Sequence, residues 1–249
     1  MSNTKTSRKS MKKRIFIGIA IVLVVFIGGT LIWMTNSYKH KSLATVALKS
    51  DNSMAVTDGD FIIFDSKNEN ATKGLIFYPG AKVDPMAYAP LCRQIANAGY
   101  KVVIVSMPLN FAIFSPNKAD EVIEKFPQIQ TWAIGGHSLG GVMACKYASK
   151  HDKIKGVALY ASYPQGDELK NSNKQVVSIW GSNDGVAKLD KVRNAALPKD
   201  TTFVEIKGGN HGQFGDYGAQ SGDKQATISQ EEQVKQAVDA TVELMKKIQ

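Results

Sequence analysis

From Phe61 to Ile206 the chain repeats one pattern, a short apolar run followed by helix-forming sequence. The runs are Phe61–Phe64, Leu75–Tyr78, Val102–Ser106, Trp132–Ile134, Val157–Tyr160, Val176–Trp180 and Phe203–Ile206. Helix-like stretches lie at Tyr88–Ala98, Lys118–Phe126, Val142–Lys150 and Ala187–Ala195. Strands alternating with helices of this length predict an α/β fold, with a mostly parallel sheet covered on both faces. Such strands have no solvent face, which is why VVIV and LIFY are continuously apolar rather than alternating. A final helix is expected after Ser229, where Ser229-Gln-Glu-Glu232 has the form of a capping box. Val234, Val238, Thr241, Met245 and Ile248 then form one stripe. The connection Ala161–Gln175 holds only fifteen residues, too few for a lid domain, so an open site is expected.

The N-terminus follows different rules. Ile15 to Met34 is an uncharged run of twenty residues, and a helix of that length spans roughly 30 Å, the thickness of a bilayer's hydrocarbon core. Lys5, Arg8, Lys9, Lys12, Lys13 and Arg14 precede it. The run is longer than the apolar core of a cleaved signal peptide, and Ile32-Trp33-Met34 is a poor match to a small-residue cleavage site. The expectation is a basic cytoplasmic tail over 1–14, a single-pass transmembrane anchor over 15–34 and a juxtamembrane linker over 35–55. The folded domain, 56–249, would be extracytoplasmic. Nine of the 31 basic residues and no acidic ones fall in residues 1–50, so residues 51–249 balance at 22 against 22. The net charge of +9 therefore belongs to the N-terminal fifty residues, and nucleic acid is not expected as a partner. Cys92 and Cys145 lack C-x-x-C spacing, and no metal site is expected.

Gly136, Ser138 and Gly140 form G-x-S-x-G within GGHSLGG, after the run TWAI and before VMACKYASK. In a sharp strand-to-helix turn this arrangement projects the serine Oγ above the sheet, and the glycines remove side chains that would collide. A serine hydroxyl needs a base at neutral pH. Of four histidines, His40 lies beside the apolar span and His151 at a helix end. His137 sits inside the elbow, directed away from the Ser138 Oγ, and is expected to pack structurally. His211 follows the last strand on the loop KGGNHG, where open α/β sheets carry functional groups. Asp184, in GSNDG after the preceding strand, is the expected partner of that base, with Asp190 and Asp216 as second choices. Asp184 would equally suit a turn or a helix N-cap. The order Ser, Asp, His is that of α/β-hydrolases. The expected oxyanion donors are the N–H groups of Leu139 and Ala81, since Pro79 cannot donate. Phe111, Phe114 and Tyr163, on loops with the same exposure, are candidate pocket walls or ordinary packing.

YPGAKVDPMAY, GGHSLGG, GSNDG and GGNHGQFGDYG together resemble the compact, lidless α/β-hydrolases related to dienelactone hydrolase, over roughly residues 60–249. The resemblance implies an eight-stranded sheet and serine acyl-enzyme chemistry with no metal or organic cofactor. Carried over by motif, it makes Ser138 the nucleophile, Asp184 the acid, His211 the base, and Ala81 with Leu139 the oxyanion donors. Dienelactone hydrolase itself uses a cysteine nucleophile, so its lactone substrate does not transfer. The fold also implies that Cys92 and Cys145 flank opposite faces of the sheet and are not joined. The expected function is hydrolysis of a carboxylic ester or related acyl bond of a small-molecule substrate. Transfer to a cell-envelope acceptor and a non-catalytic binding role are the alternatives.

Overall fold

The computed structural model describes residues 3–67 and 71–249, with backbone only for 3–12 and Leu31. The side chains of the basic tail through Lys12 lie outside the described residues. The chain divides into two compact units, residues 1–37 and 38–249. The first contains helix α1, Asn3–Thr35. Within it Lys13–Thr35 is long and apolar enough to cross a membrane, and the described side chains from Ile15 to Ile27 are largely exposed.

The second unit holds eight strands: β1 Met54–Thr57, β2 Phe61–Ser66, β3 Lys73–Tyr78, β4 Lys101–Val105, β5 Thr131–His137, β6 Ile154–Tyr160, β7 Gln175–Gly181 and β8 Thr202–Ile206. They form one sheet in the order β1-β2-β4-β3-β5-β6-β7-β8. β1 and β2 are antiparallel to their neighbours, and β4, β3, β5, β6, β7 and β8 run parallel. The eight-stranded, mostly parallel sheet is therefore present. Helices α2 Ser42–Ala47, α3 Ala89–Asn97, α4 Ala119–Lys125, α5 Leu139–Ala148, α6 Leu189–Arg193 and α7 Gln230–Lys247 accompany it.

Consecutive strand residues point to opposite faces, so each apolar run feeds two cores. Leu75, Phe77, Val102 and Ile104 join residues of α3 and α7 on one face. Ile76, Tyr78, Val103 and Val105 join residues of α4 and α5 on the other. Cys92 belongs to the first core and Cys145 to the second; both are free and fully buried. Burial pushes both thiols well above their ordinary range. The α7 stripe is buried as its spacing predicts, and Ser229 Oγ accepts from the Glu232 N–H at 3.1 Å.

One boundary departs from expectation. The segment 35–55, read as a linker, is folded into the second unit from Tyr38 onward. Tyr38 pairs with Val83, its N–H donating to the Lys82 carbonyl at 2.7 Å. Ala44 and Ala47 of α2 are buried, and β1 begins at Met54. Asp216 secures α2, its Oδ2 accepting from the Ala44 N–H at 2.9 Å. These ties are mostly backbone hydrogen bonds, which leave no hydrophobic period in the sequence.

Candidate active site

β5 ends at His137 and α5 begins at Leu139, so Ser138 alone makes the turn. It does so at φ 51°, ψ −123°, a region costly for a side-chain-bearing residue. Both sides of its peptide are held. The Ser138 N–H donates to the Tyr160 carbonyl at 2.9 Å, and its own carbonyl accepts from Ser162 Oγ at 2.7 Å. A Cβ on Gly136 would lie 2.5 Å from the Gly140 carbonyl carbon. One on Gly140 would lie 2.2 Å from the Tyr78 oxygen. The two motif glycines are therefore required by close backbone approach, as the elbow geometry demands.

The last two strands, β7 and β8, lead to the loops of Asp184 and His211. His211 Nδ1 lies 2.8 Å from Asp184 Oδ2, and both side chains are buried. Asp184 also serves the turn that sequence alone allowed: its other oxygen accepts from the Val186 and Ala187 N–H groups at 2.8 and 2.7 Å. One carboxylate thus splits its oxygens between a local turn and the imidazole. With Oδ2 acceptor-only, Nδ1 carries the proton and Nε2 is left as a lone-pair acceptor. That Nε2 is buried and has no hydrogen-bond partner among the described residues. Ser138 is half-buried and makes no hydrogen bond to it, although the ring of neighbouring His137 is centred 4.4 Å from that of His211.

Neither the Ala81 N–H nor the Leu139 N–H has an acceptor among the described residues. The tight contact of Gly140 with Tyr78 and Pro79 sets the N-terminus of α5 against the loop that carries Ala81. Free N–H groups at a helix N-terminus favour negative charge. Phe111 is buried and packs edge to face on the nearly half-exposed Phe114, with ring centres 5.9 Å apart. Tyr163 lies on the loop after β6, with the Lys191 ammonium 5.9 Å from its ring.

Four polar residues brace this site, and of these the sequence assigns a structural place to His137 alone. Gln233 of α7 holds Asn210 by two hydrogen bonds, 2.9 Å from its N–H and 2.7 Å to its carbonyl. Its signal was a glutamine four residues before Ala237 on the buried face of α7. Asp223 accepts from the N–H groups of Gly185 at 2.9 Å and Gly212 at 2.8 Å, tying the Asp184 loop to the His211 loop. Tyr88 and His137 complete the set. No sequence pattern pointed to Asp223 or to the pairing of Tyr88 with His137.

No curated protein matches the chain in sequence. Solved structures of similar fold include a predicted CIB-like hydrolase from Thermoplasma acidophilum, 15% identical, with a TM-score of 0.56 over 78% of this chain and 100% of that one. An esterase of Pyrobaculum calidifontis is 13% identical, with a TM-score of 0.57 over 82% of this chain and 88% of that one. Carboxyl esterase 2 of Tuber melanosporum is 10% identical, with a TM-score of 0.62 over 86% and 92%. At these identities the likeness concerns the fold. The sequence itself adds a match over residues 74–235 to the alpha/beta hydrolase family model, a span that includes Ser138, Asp184 and His211. With sheet order, elbow and family model in agreement, the chain belongs to the alpha/beta hydrolase family.

Proposed function

We propose that the protein is a serine hydrolase that cleaves a carboxylic ester or related acyl bond through an acyl-Ser138 intermediate. The observations that carry this reading are the buried Asp184–His211 pair with its unpaired Nε2 and a serine held at positive φ next in sequence to His137, whose ring packs on that of His211. Ser138 Oγ attacks the acyl carbon while His211 Nε2 takes its proton. The carbonyl electron pair becomes an oxyanion received by the Ala81 and Leu139 N–H groups. The intermediate collapses, and the proton on Nε2 passes to the departing alkoxide. Water then loses a proton to Nε2, attacks the acyl carbon and releases the acid, and Ser138 Oγ regains its proton. Hydrogen bonds of this kind tighten when substrate arrives, which accommodates the unpaired Nε2 of the free enzyme. Phe111, Phe114 and Tyr163 are the proposed walls for the acyl or alcohol group. A fluorophosphonate probe is expected to label the wild type and leave Ser138→Ala unlabelled; equal labelling of both would remove the nucleophile assignment.

The proposed location is a membrane, crossed once by Lys13–Thr35, with the hydrolase domain outside the cytoplasm. The support is an apolar helix whose described side chains from Ile15 to Ile27 are largely exposed, following a basic segment. Protease added to intact cells is expected to digest the domain; full protection with an active enzyme inside would reverse the orientation.

A further inference from the structure

His137 occupies the variable position of the elbow and is fully buried, yet both its ring nitrogens are engaged. Nε2 lies 3.1 Å from the His211 carbonyl oxygen, and Nδ1 lies 2.9 Å from the Tyr88 hydroxyl. A carbonyl can only accept, so Nε2 carries the proton. Burial, with the neighbouring His211 adding to it, holds the ring well below the usual histidine range, so it is neutral and has only that one proton. Nδ1 must then accept, and the Tyr88 hydroxyl donates to it. The hydroxyl oxygen in turn accepts from the Gly80 N–H at 3.0 Å. The result is one directed chain: Gly80 N–H to Tyr88 OH to His137 Nδ1, then His137 Nε2–H to the His211 carbonyl.

The two ends of this chain matter for the proposed reaction. Gly80 precedes Ala81, the proposed oxyanion donor, and His211 is the proposed base. Gly80 also has to be glycine here, because a Cβ would lie 2.7 Å from His137 Nδ1 and 2.8 Å from the Tyr88 oxygen. Phe77 and Tyr217 flank the Tyr88 ring, with centres 4.8 and 6.5 Å away, so the hydroxyl has a fixed position. On the far side of the same residue, Asp223 receives the His211 N–H at 3.3 Å and the Gly212 N–H at 2.8 Å.

We propose that Tyr88 and His137 are positioning residues, a buried polar bridge that keeps the backbone of His211 in register with the oxyanion loop; this rests on the serine-hydrolase reading above. Neither hydrogen-bonds to His211 Nε2. They act by fixing where Nε2 and the Ala81 N–H stand relative to each other. Displacements of an ångström at such groups are felt in the chemical step rather than in binding. Loss of the bridge therefore lowers kcat and leaves KM nearly unchanged.

The test uses the full chain in detergent with a short-chain nitrophenyl ester, comparing wild type, Tyr88→Phe, His137→Gln and His137→Leu. Tyr88→Phe keeps the ring and deletes the hydroxyl, so kcat is expected to fall about tenfold with KM within about twofold. His137→Leu is expected to fall roughly a hundredfold. His137→Gln, which restores an N–H toward the His211 carbonyl, should recover part of that loss; a purely packing role would show no such rescue. Should His137→Leu fail to fold, Tyr88→Phe and His137→Gln decide the matter. Wild-type kcat in Tyr88→Phe and His137→Gln, with fluorophosphonate labelling still dependent on Ser138, would overturn the bridge alone. Absence of Ser138-dependent labelling in the wild type would overturn the hydrolase reading, and the bridge with it.

Discussion

Asp184→Asn is expected to yield a folded protein with kcat lowered by about 10⁴. The argument turns on how the two carboxylate oxygens are divided. Oδ1 receives two N–H groups, from Val186 and Ala187, whereas Oδ2 receives one, from His211. An asparagine keeps the single oxygen where two donors wait for it. Its NH₂ group is then turned toward His211 Nδ1 and donates to it. The imidazole must shift its proton to Nε2, leaving no lone pair to accept the serine proton. The turn survives, so the fold survives. The checks are kcat on a nitrophenyl ester, the rate of fluorophosphonate labelling and the melting temperature, measured on one preparation. Melting close to wild type with both rates depressed is the expected outcome. A kcat within tenfold of wild type would mean that Asp184 serves the turn and some other group orients the base.

The candidate site was legible in the sequence because its proposed residues follow strand ends. Most of the parallel strands announce themselves as continuous apolar runs, and the loop after each can be read directly; β8 is the exception, largely exposed and interrupted by Glu205. Ser138, Asp184 and His211 lie on three such loops. β1 was not legible: Met54–Thr57 is four residues at the sheet edge, antiparallel and partly exposed. α2 was missed for a related reason, since only Ala44 and Ala47 of its six residues are buried. Its placement depends on Asp216, 172 residues from Ala44. The bracing residues share that difficulty. Tyr88 meets His137 across 49 residues, and each reads alone as an ordinary buried ring. Long-range polar pairing carries no local period, so patterning finds the frame of an active site more readily than its bracing.

Gly140→Ala tests that frame. A β-carbon there would stand 2.2 Å from the Tyr78 oxygen and 2.4 Å from the Pro79 oxygen, both backbone atoms at the end of a central strand. Neither can turn aside as a side chain would, so α5 must retreat from the sheet. Overpacking of this kind costs about 3 kcal/mol, or roughly 6–12 °C in Tm for a domain of this size. Retreat of α5 also carries the Leu139 N–H away from the loop of Ala81, so the proposed oxyanion donors separate. Losing one such donor lowers kcat by about 10²–10³. The control is Gly59→Ala, where a β-carbon meets nothing within 4 Å; its stability should stay within about 0.5 kcal/mol of wild type, with unchanged kcat. Thermal scans and ester kinetics on the two variants separate crowding at the elbow from a general intolerance of alanine. If Gly140→Ala melted and turned over like Gly59→Ala, the close approach of α5 to β3 could not be what positions Ser138.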